Sequence, residues 1–210
     1  LADGTRIEAD TIETGTLASE GFETVDFGHG FDATPTILSQ VQTSNGSDFV
    51  VTRHTDADAA GFSVAMQEEE ARENSGHVTE TVGWLAMERG AGSWSGIAYE
   101  AGTTGLKVTD SVTSHAFEAG FVNSPLMLAT LASHHGSDTA MARLSEIDAA
   151  GFAGLAQEET SRDAETVHVP EALDYLAFEG TGALAGYANP TAEQIATLGV
   201  SLDSDPLIAF

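Results

Sequence analysis

The stretch "PTILSQVQTSNGSDFVVTRHTDADAAGFSVAMQEEE", Pro35 to Glu70, decides the fold. It holds three short runs, "TILSQVQT", "FVVTRHT" and "FSVAMQ", rich in β-branched and apolar residues. Between them lie "SNGSD" and "DADAAG", clusters of residues that favour turns because they tolerate unusual backbone angles or cap their own amides. Strand-like runs punctuated this way, at spacings of roughly 8–12 residues, mark an antiparallel β-sandwich or barrel. "VGWLAME" (82–88) supplies a closing strand.

The same unit occurs twice. Residues 31–72 align with 121–162 at a constant offset of 90, with Phe31/Phe121, Pro35/Pro125, Leu38/Leu128 and Arg53/Arg143 identical. The runs "GSD" (46–48, 136–138), "DAAGF" (58–62, 148–152) and "QEE" (67–69, 157–159) repeat as well. After a one-residue length change, "HVTETVGWLAME" (77–88) aligns with "HVPEALDYLAFE" (168–179). Internal repetition of this kind describes a copied structural unit. The expected organisation is a leader or connector over 1–13, β-sandwich modules over 14–104 and 105–190, and a C-terminal tail over 191–210. Within the tail, "TAEQIATL" (191–198) has a helical pattern, and "DPLIAF" (205–210) resembles "TPTILS" (34–39), the first strand of module one.

Charge narrows the partners. Asp and Glu number 33 against 7 Lys and Arg, a net charge of -26, and Lys107 is the single lysine. Phosphate neutralisation needs a basic surface, so nucleic-acid binding is excluded as an expectation. Docking on anionic lipid is disfavoured for the same reason. The acidic excess reads either as adaptation to high salt, where self-repulsion is screened, or as divalent-cation binding. With no cysteine, disulfides and thiolate chemistry are absent. No apolar run approaches the roughly 20 residues of a membrane helix. The start at Leu1 without a signal-peptide pattern suggests a processed chain or a fragment.

The order of these elements resembles the H-type lectins, small antiparallel β-sandwiches that assemble as trimers and bind sugars. The family pattern runs through an apolar residue, Pro, an apolar strand, a polar loop, a strand carrying Arg, a "GF" strand and a closing aromatic-apolar-Glu strand. Phe31, Pro35, "TILSQVQ", "SNGSD", Arg53, Gly61-Phe62 and "WLAME" (84–88) follow it. So do Phe121, Pro125, "LMLATLA", "HHGSD", Arg143, Gly151-Phe152 and "YLAFE" (175–179). The resemblance implies sugar contact at Arg53 and Arg143 and a homo-oligomer, with the trimer favoured. The chain departs from the pattern after the "GF" strand. Glu69 and Glu70, and Glu159 and Thr160, stand where the family carries an aromatic-histidine pair.

Carboxylates can still accept from vicinal hydroxyls while Arg donates. The expected carbohydrate-binding set is therefore Arg53, Gln67, Glu69 and His77 in one module and Arg143, Gln157, Glu159 and His168 in the other. Each Arg can alternatively pair with the neighbouring "QEE" carboxylates and hold two strands in register. Calcium is a further candidate, through Glu68, Glu69, Glu158 and Glu159, although no loop alternating Asp or Asn with Gly supports it. No nucleophile elbow, phosphate loop or HExxH appears, so no catalysis is expected. The sequence thus points to a non-catalytic, glycan-recognising protein that is extracellular, surface-bound or virion-associated. The alternative is a structural subunit of an extracellular filament or virus fibre built from stacked modules.

Overall fold

The computed structural model describes residues 1, 3–72, 76–94 and 96–180. Among them the chain forms thirteen strands and no helix, all named strand pairs being antiparallel. In the first module, one sheet has the order β1 (Ile7–Thr14), β6 (Glu80–Met87), β3 (Thr36–Val41). The facing sheet runs β2 (Glu23–Asp26), β5 (Gly61–Glu68), β4 (Val50–Thr55). In the second module the sheets are β10 (Leu126–Leu131), β13 (Leu173–Glu179), β8 (Ile97–Thr103), β7 (Gly90–Trp94), and β11 (Ala140–Ser145), β12 (Gly151–Glu158), β9 (Thr113–Ala116). Apart from β7, added at one edge, the two topologies are the same. The all-β expectation holds.

The expected boundaries shift. Ile7–Thr14 is not a leader but the strand that pairs with β6 along its whole length, Ile7 opposite Met87 and Thr14 opposite Glu80. Its counterpart β8 pairs with β13, so 90–104 belongs to the second module. β1 was hard to read because it lies at a sheet edge and is mostly exposed. Backbone hydrogen bonds hold it, and with only Thr14 buried and Ile12 packed against the core it carries little hydrophobic alternation. The helical pattern at 191–198 and the strand likeness at 205–210 lie outside the described residues.

Each sandwich closes on its own aromatic core. Phe27, Phe62 and Trp84 pack pairwise at 5.6–5.9 Å between ring centres. Phe117, Phe152 and Tyr175 do the same at 5.0–6.1 Å. Burial of each such side chain contributes about 1.5–3 kcal/mol. Tyr175 stands where the first module has Trp84, and its buried hydroxyl donates to Glu100 at 2.7 Å. The "DAAG" turns have identical wiring: Asp58 accepts the amides of Ala60 and Gly61, and Asp148 those of Ala150 and Gly151. Glycine is required in the "GF" pair because a β-carbon on Gly61 would sit 2.3 Å from the Val25 carbonyl, and one on Gly151 2.2 Å from that of His115.

Candidate functional site: a carboxylate nest at the module junction

In each module a glutamate three residues after a histidine folds back under the loop joining two strands. Glu80 opens β6, and its Oε1 accepts the amides of Asn45 and Gly46, both at 2.7 Å. Thr43 donates to Oε2. His77 Nε2 lies 3.4 Å from the same carboxylate, while its Nδ1 lies 2.6 Å from Glu68. The second module repeats the cage. Glu171 accepts the amides of His135 (2.9 Å) and Gly136 (3.1 Å) and the Ser133 hydroxyl. His168 bridges Glu171 (3.3 Å) and Glu158 (2.6 Å). The glycines let the loop touch the ring: a β-carbon at Gly46 would meet His77 at 2.4 Å, and one at Gly136 would meet His168 at 2.5 Å.

Donors converging on a carboxylate favour its ionised form. The Gly46 amide, the Thr43 hydroxyl and the Asn45 amide pull Glu80 down to about 2. Burial acts to raise Glu171, but His168, Ser133, Gly136 and Arg53 outweigh it and hold the carboxyl well below its usual range. His168 moves the opposite way. Burial alone lowers it, yet its bonds to Glu171 and Glu158 prevail and raise its pKa.

The two nests differ in one partner. Arg53, on β4 of the first module, is wholly buried and reaches across the junction into the second nest. Its Nη2 donates to Glu171 Oε1 at 2.7 Å and to the Ser133 carbonyl at 2.9 Å, and its Nη1 to the Ala140 carbonyl at 3.4 Å. More contacts close the same face. Gln67 donates to the Ser137 carbonyl (2.8 Å), the Thr139 hydroxyl to the Glu68 carbonyl, and the Ile37 amide to Asp174 (2.9 Å). The Glu70 amide donates to Glu159 at 2.6 Å and that of Ala71 to Ser161 Oγ at 3.0 Å. His54 beside Arg53 has neither ring nitrogen bonded, and burial together with the guanidinium pushes it down to about 3, so it stays neutral.

The expected sugar-contact residues are therefore distributed unlike the sequence expectation. Arg53 and Gln67 are buried against the second module, and in this arrangement neither offers a surface to a glycan. Arg53 pairs with Glu171 of the other module rather than with its own "QEE" carboxylates. Arg143 and Gln157 are exposed and joined by a 2.7 Å hydrogen bond. His77 and His168 sit in the nests; the structure joins Arg53 of one module to His168 of the other through Glu171. Glu69 lies 3.6 Å from Arg72, and Glu159 accepts from the Glu70 amide.

Glu80 and Glu171 were not among the expected residues. Their signal was visible in the aligned "HVTE" and "HVPE", where His and Glu recur three apart.

Among the described residues, Glu158 is the one carboxylate considered for calcium that joins a converging group, with Asp138 and Glu165, whose oxygens lie within 4.8 Å of one another. Glu158 Oε2 is buried without a hydrogen-bond partner. Three carboxylates of this kind could hold a divalent cation. In the first module the corresponding Asp48 instead has Arg72 at 3.4 Å. A separate open cleft of about 500 Å³, lined by Thr5, Asp32, Glu88, Arg89 and Tyr99, contains none of the expected site residues.

The fold and junction define a tandem of fused β-sandwiches joined by a buried ion pair. No family model and no solved structure matches the chain. It is similar to halomucin of Haloquadratum walsbyi, at 27% identity over 192 residues, covering 89% of this chain. The chain spans 2% of the length of that relative.

Proposed function

We propose that the chain is a non-catalytic structural segment of a long, salt-adapted surface or extracellular polypeptide, built from repeated β-sandwich modules locked side by side. The observation that carries this is the junction. The Arg that the lectin resemblance assigns to sugar contact is instead consumed in fixing one module to the next, through Glu171 and its cage of donors. A rigid joint suits a spacer, since it transmits position along a chain of modules. Two further facts support the reading. The similarity to halomucin, of which this chain spans 2% of the length, fits a segment of a long polypeptide. The sequence "GTGALAGYA" at 180–188 also repeats "GAGSWSGIA" at 90–98, again at an offset of 90.

Small-angle scattering of the chain in concentrated salt tests the proposal. A single rigid two-module particle is expected, loosening on Arg53→Met; independent, flexibly tethered modules in the unsubstituted protein would sink it.

A second reading rests on Arg143 and Gln157, which present exposed donor and acceptor groups side by side. If glycans bind, they bind there, and an array screen should lose its signal with Arg143→Ala. A screen with no signal in the presence or absence of calcium removes this reading.

A further inference from the structure

Asp138, Glu158 and Glu165 come from three separate segments of the second module: the loop between β10 and β11, the end of β12, and the connection from β12 to β13. In a chain with 33 acidic residues, a cluster of carboxylates is no site by itself. Burial sets this one apart. The Glu158 side chain is 1% exposed. Its Oε1 lies 2.6 Å from His168 Nδ1, while Oε2 is buried with no hydrogen-bond partner among the described residues. A buried carboxylate oxygen left unpaired is unfavourable, and a coordinated cation removes that penalty. A second such acceptor lies beside the cluster and belongs to the other module. Gln67 Oε1 is likewise buried and unpartnered, while Nε2 of the same amide donates to the Ser137 carbonyl, next in the chain to Asp138.

The charges are also uncompensated. Among the described residues no lysine or arginine pairs with Asp138, Glu158 or Glu165. The first module shows the alternative, since Asp48, the counterpart of Asp138, has Arg72 at 3.4 Å. One loop position thus meets a guanidinium in one module and two further carboxylates in the other. Their field reaches Glu70, which is raised above its ordinary pKa by burial and then by Asp138, Glu159, Asp163 and Glu158. The framework is fixed in advance. The Gln67 contact to Ser137 and the Thr139 hydroxyl on the Glu68 carbonyl grip the loop on either side of Asp138. Glu158 is set by strand pairing opposite Ala140 and by His168.

We propose that Asp138, Glu158 and Glu165 form a calcium site, with Glu158 contributing its free Oε2 and the other two closing it from their loops. An all-oxygen set suits a hard cation, and the span selects which. Two oxygens bound to one calcium at about 2.3–2.6 Å can lie roughly 4.6–5.2 Å apart; around magnesium the limit is about 4.2 Å. The three oxygens here, within 4.8 Å of one another, satisfy the calcium limit as they stand. Calcium there ties three segments together and anchors the far end of the contacts that run through His168 and Glu171 to Arg53. All three ligands belong to the second module, so the site stands apart from the spacer reading.

Calorimetric titration of calcium chloride into the 210-residue chain, in concentrated sodium chloride to screen diffuse binding, is the test. One saturable site is expected, with a Kd of roughly 0.1–1 mM as in extracellular calcium modules. Calcium at a hundredfold excess over Kd should raise Tm by about 5–10 °C, and magnesium by less. Asp138→Asn and Glu165→Gln, the latter at an exposed position where folding is safe, should each weaken binding at least about tenfold and abolish the rise. Asp48→Asn, at the corresponding place in the first module, should leave both unchanged. Binding that never saturates, equal shifts with magnesium, or equal effects of Asp48→Asn and Asp138→Asn would mean diffuse attraction to an acidic surface and overturn the proposal. Arg53→Met removes none of the ligands. A chain that binds calcium without a rigid joint, or has the joint without calcium binding, therefore separates this proposal from the spacer reading.

Discussion

Replacing Arg53 by methionine removes the charge at the junction while keeping a long side chain in its place. The lost interactions are one charge-assisted hydrogen bond to Glu171 and bonds to the carbonyls of Ser133 and Ala140. Breaking a buried ion pair by removing one partner commonly costs about 3–5 kcal/mol, because the other charge is left uncompensated. Here Glu171 keeps its hydroxyl, its two amides and His168, and Glu80 shows that the same cage holds a carboxylate with no arginine at all. The lower end of that range, about 3 kcal/mol, is therefore expected. For a chain of this size that corresponds to a fall in Tm of about 6–12 °C.

Differential scanning calorimetry in concentrated salt reads it, and the transition should broaden or split as the modules uncouple. Combining Arg53→Met with Glu171→Gln should give less than the summed effects, with a coupling of about 0.5–3 kcal/mol. A Tm within about 2 °C of the unsubstituted chain, with unchanged scattering, would refute the reasoning and transfer the joint to Gln67–Ser137 and Ile37–Asp174.

Stability should peak near pH 6.5 and fall on both sides. Buried, neutral His54 sets the start of the acid limb, because its contribution is complete above 6.5 and lost as pH falls towards 3. The folded pKa values of Glu80 and Glu171 lie below the ordinary 4.5, so their contribution is present above that pH and lost as pH falls towards 2. That of His168 is raised above 6.5, so its contribution is complete below 6.5 and lost as pH rises through the folded value; Tm against pH checks both limbs. Gly136→Ala should displace His168, whose ring lies 2.5 Å from the added carbon, and lower stability by about 1–3 kcal/mol through overpacking. An unchanged melting curve would show that the loop yields freely. Phe62→Ala, in the first core, should cost about 3–5 kcal/mol, and denaturant titration should show the loss as a lower midpoint.

The Pro35–Glu70 stretch determined by itself that the chain is all-β, because turn residues at short intervals leave room for nothing longer than strands. The offset of 90 determined that there are two equivalent sandwiches, since identical residues at identical spacing must fold alike. Even the turn wiring of Asp58 and Asp148 and the glycine of each "GF" pair follow from local chemistry. The sequence could not assign β1, whose edge position leaves it without hydrophobic alternation.

Nor could it separate Arg53 from Arg143. The two occupy the same place in the same motif, yet one is buried in an ion pair and the other faces solvent. That difference is tertiary: it depends on which surface of one module meets which surface of the next, and two copies of one unit packed head-to-tail must leave their free ends unlike their joined ones.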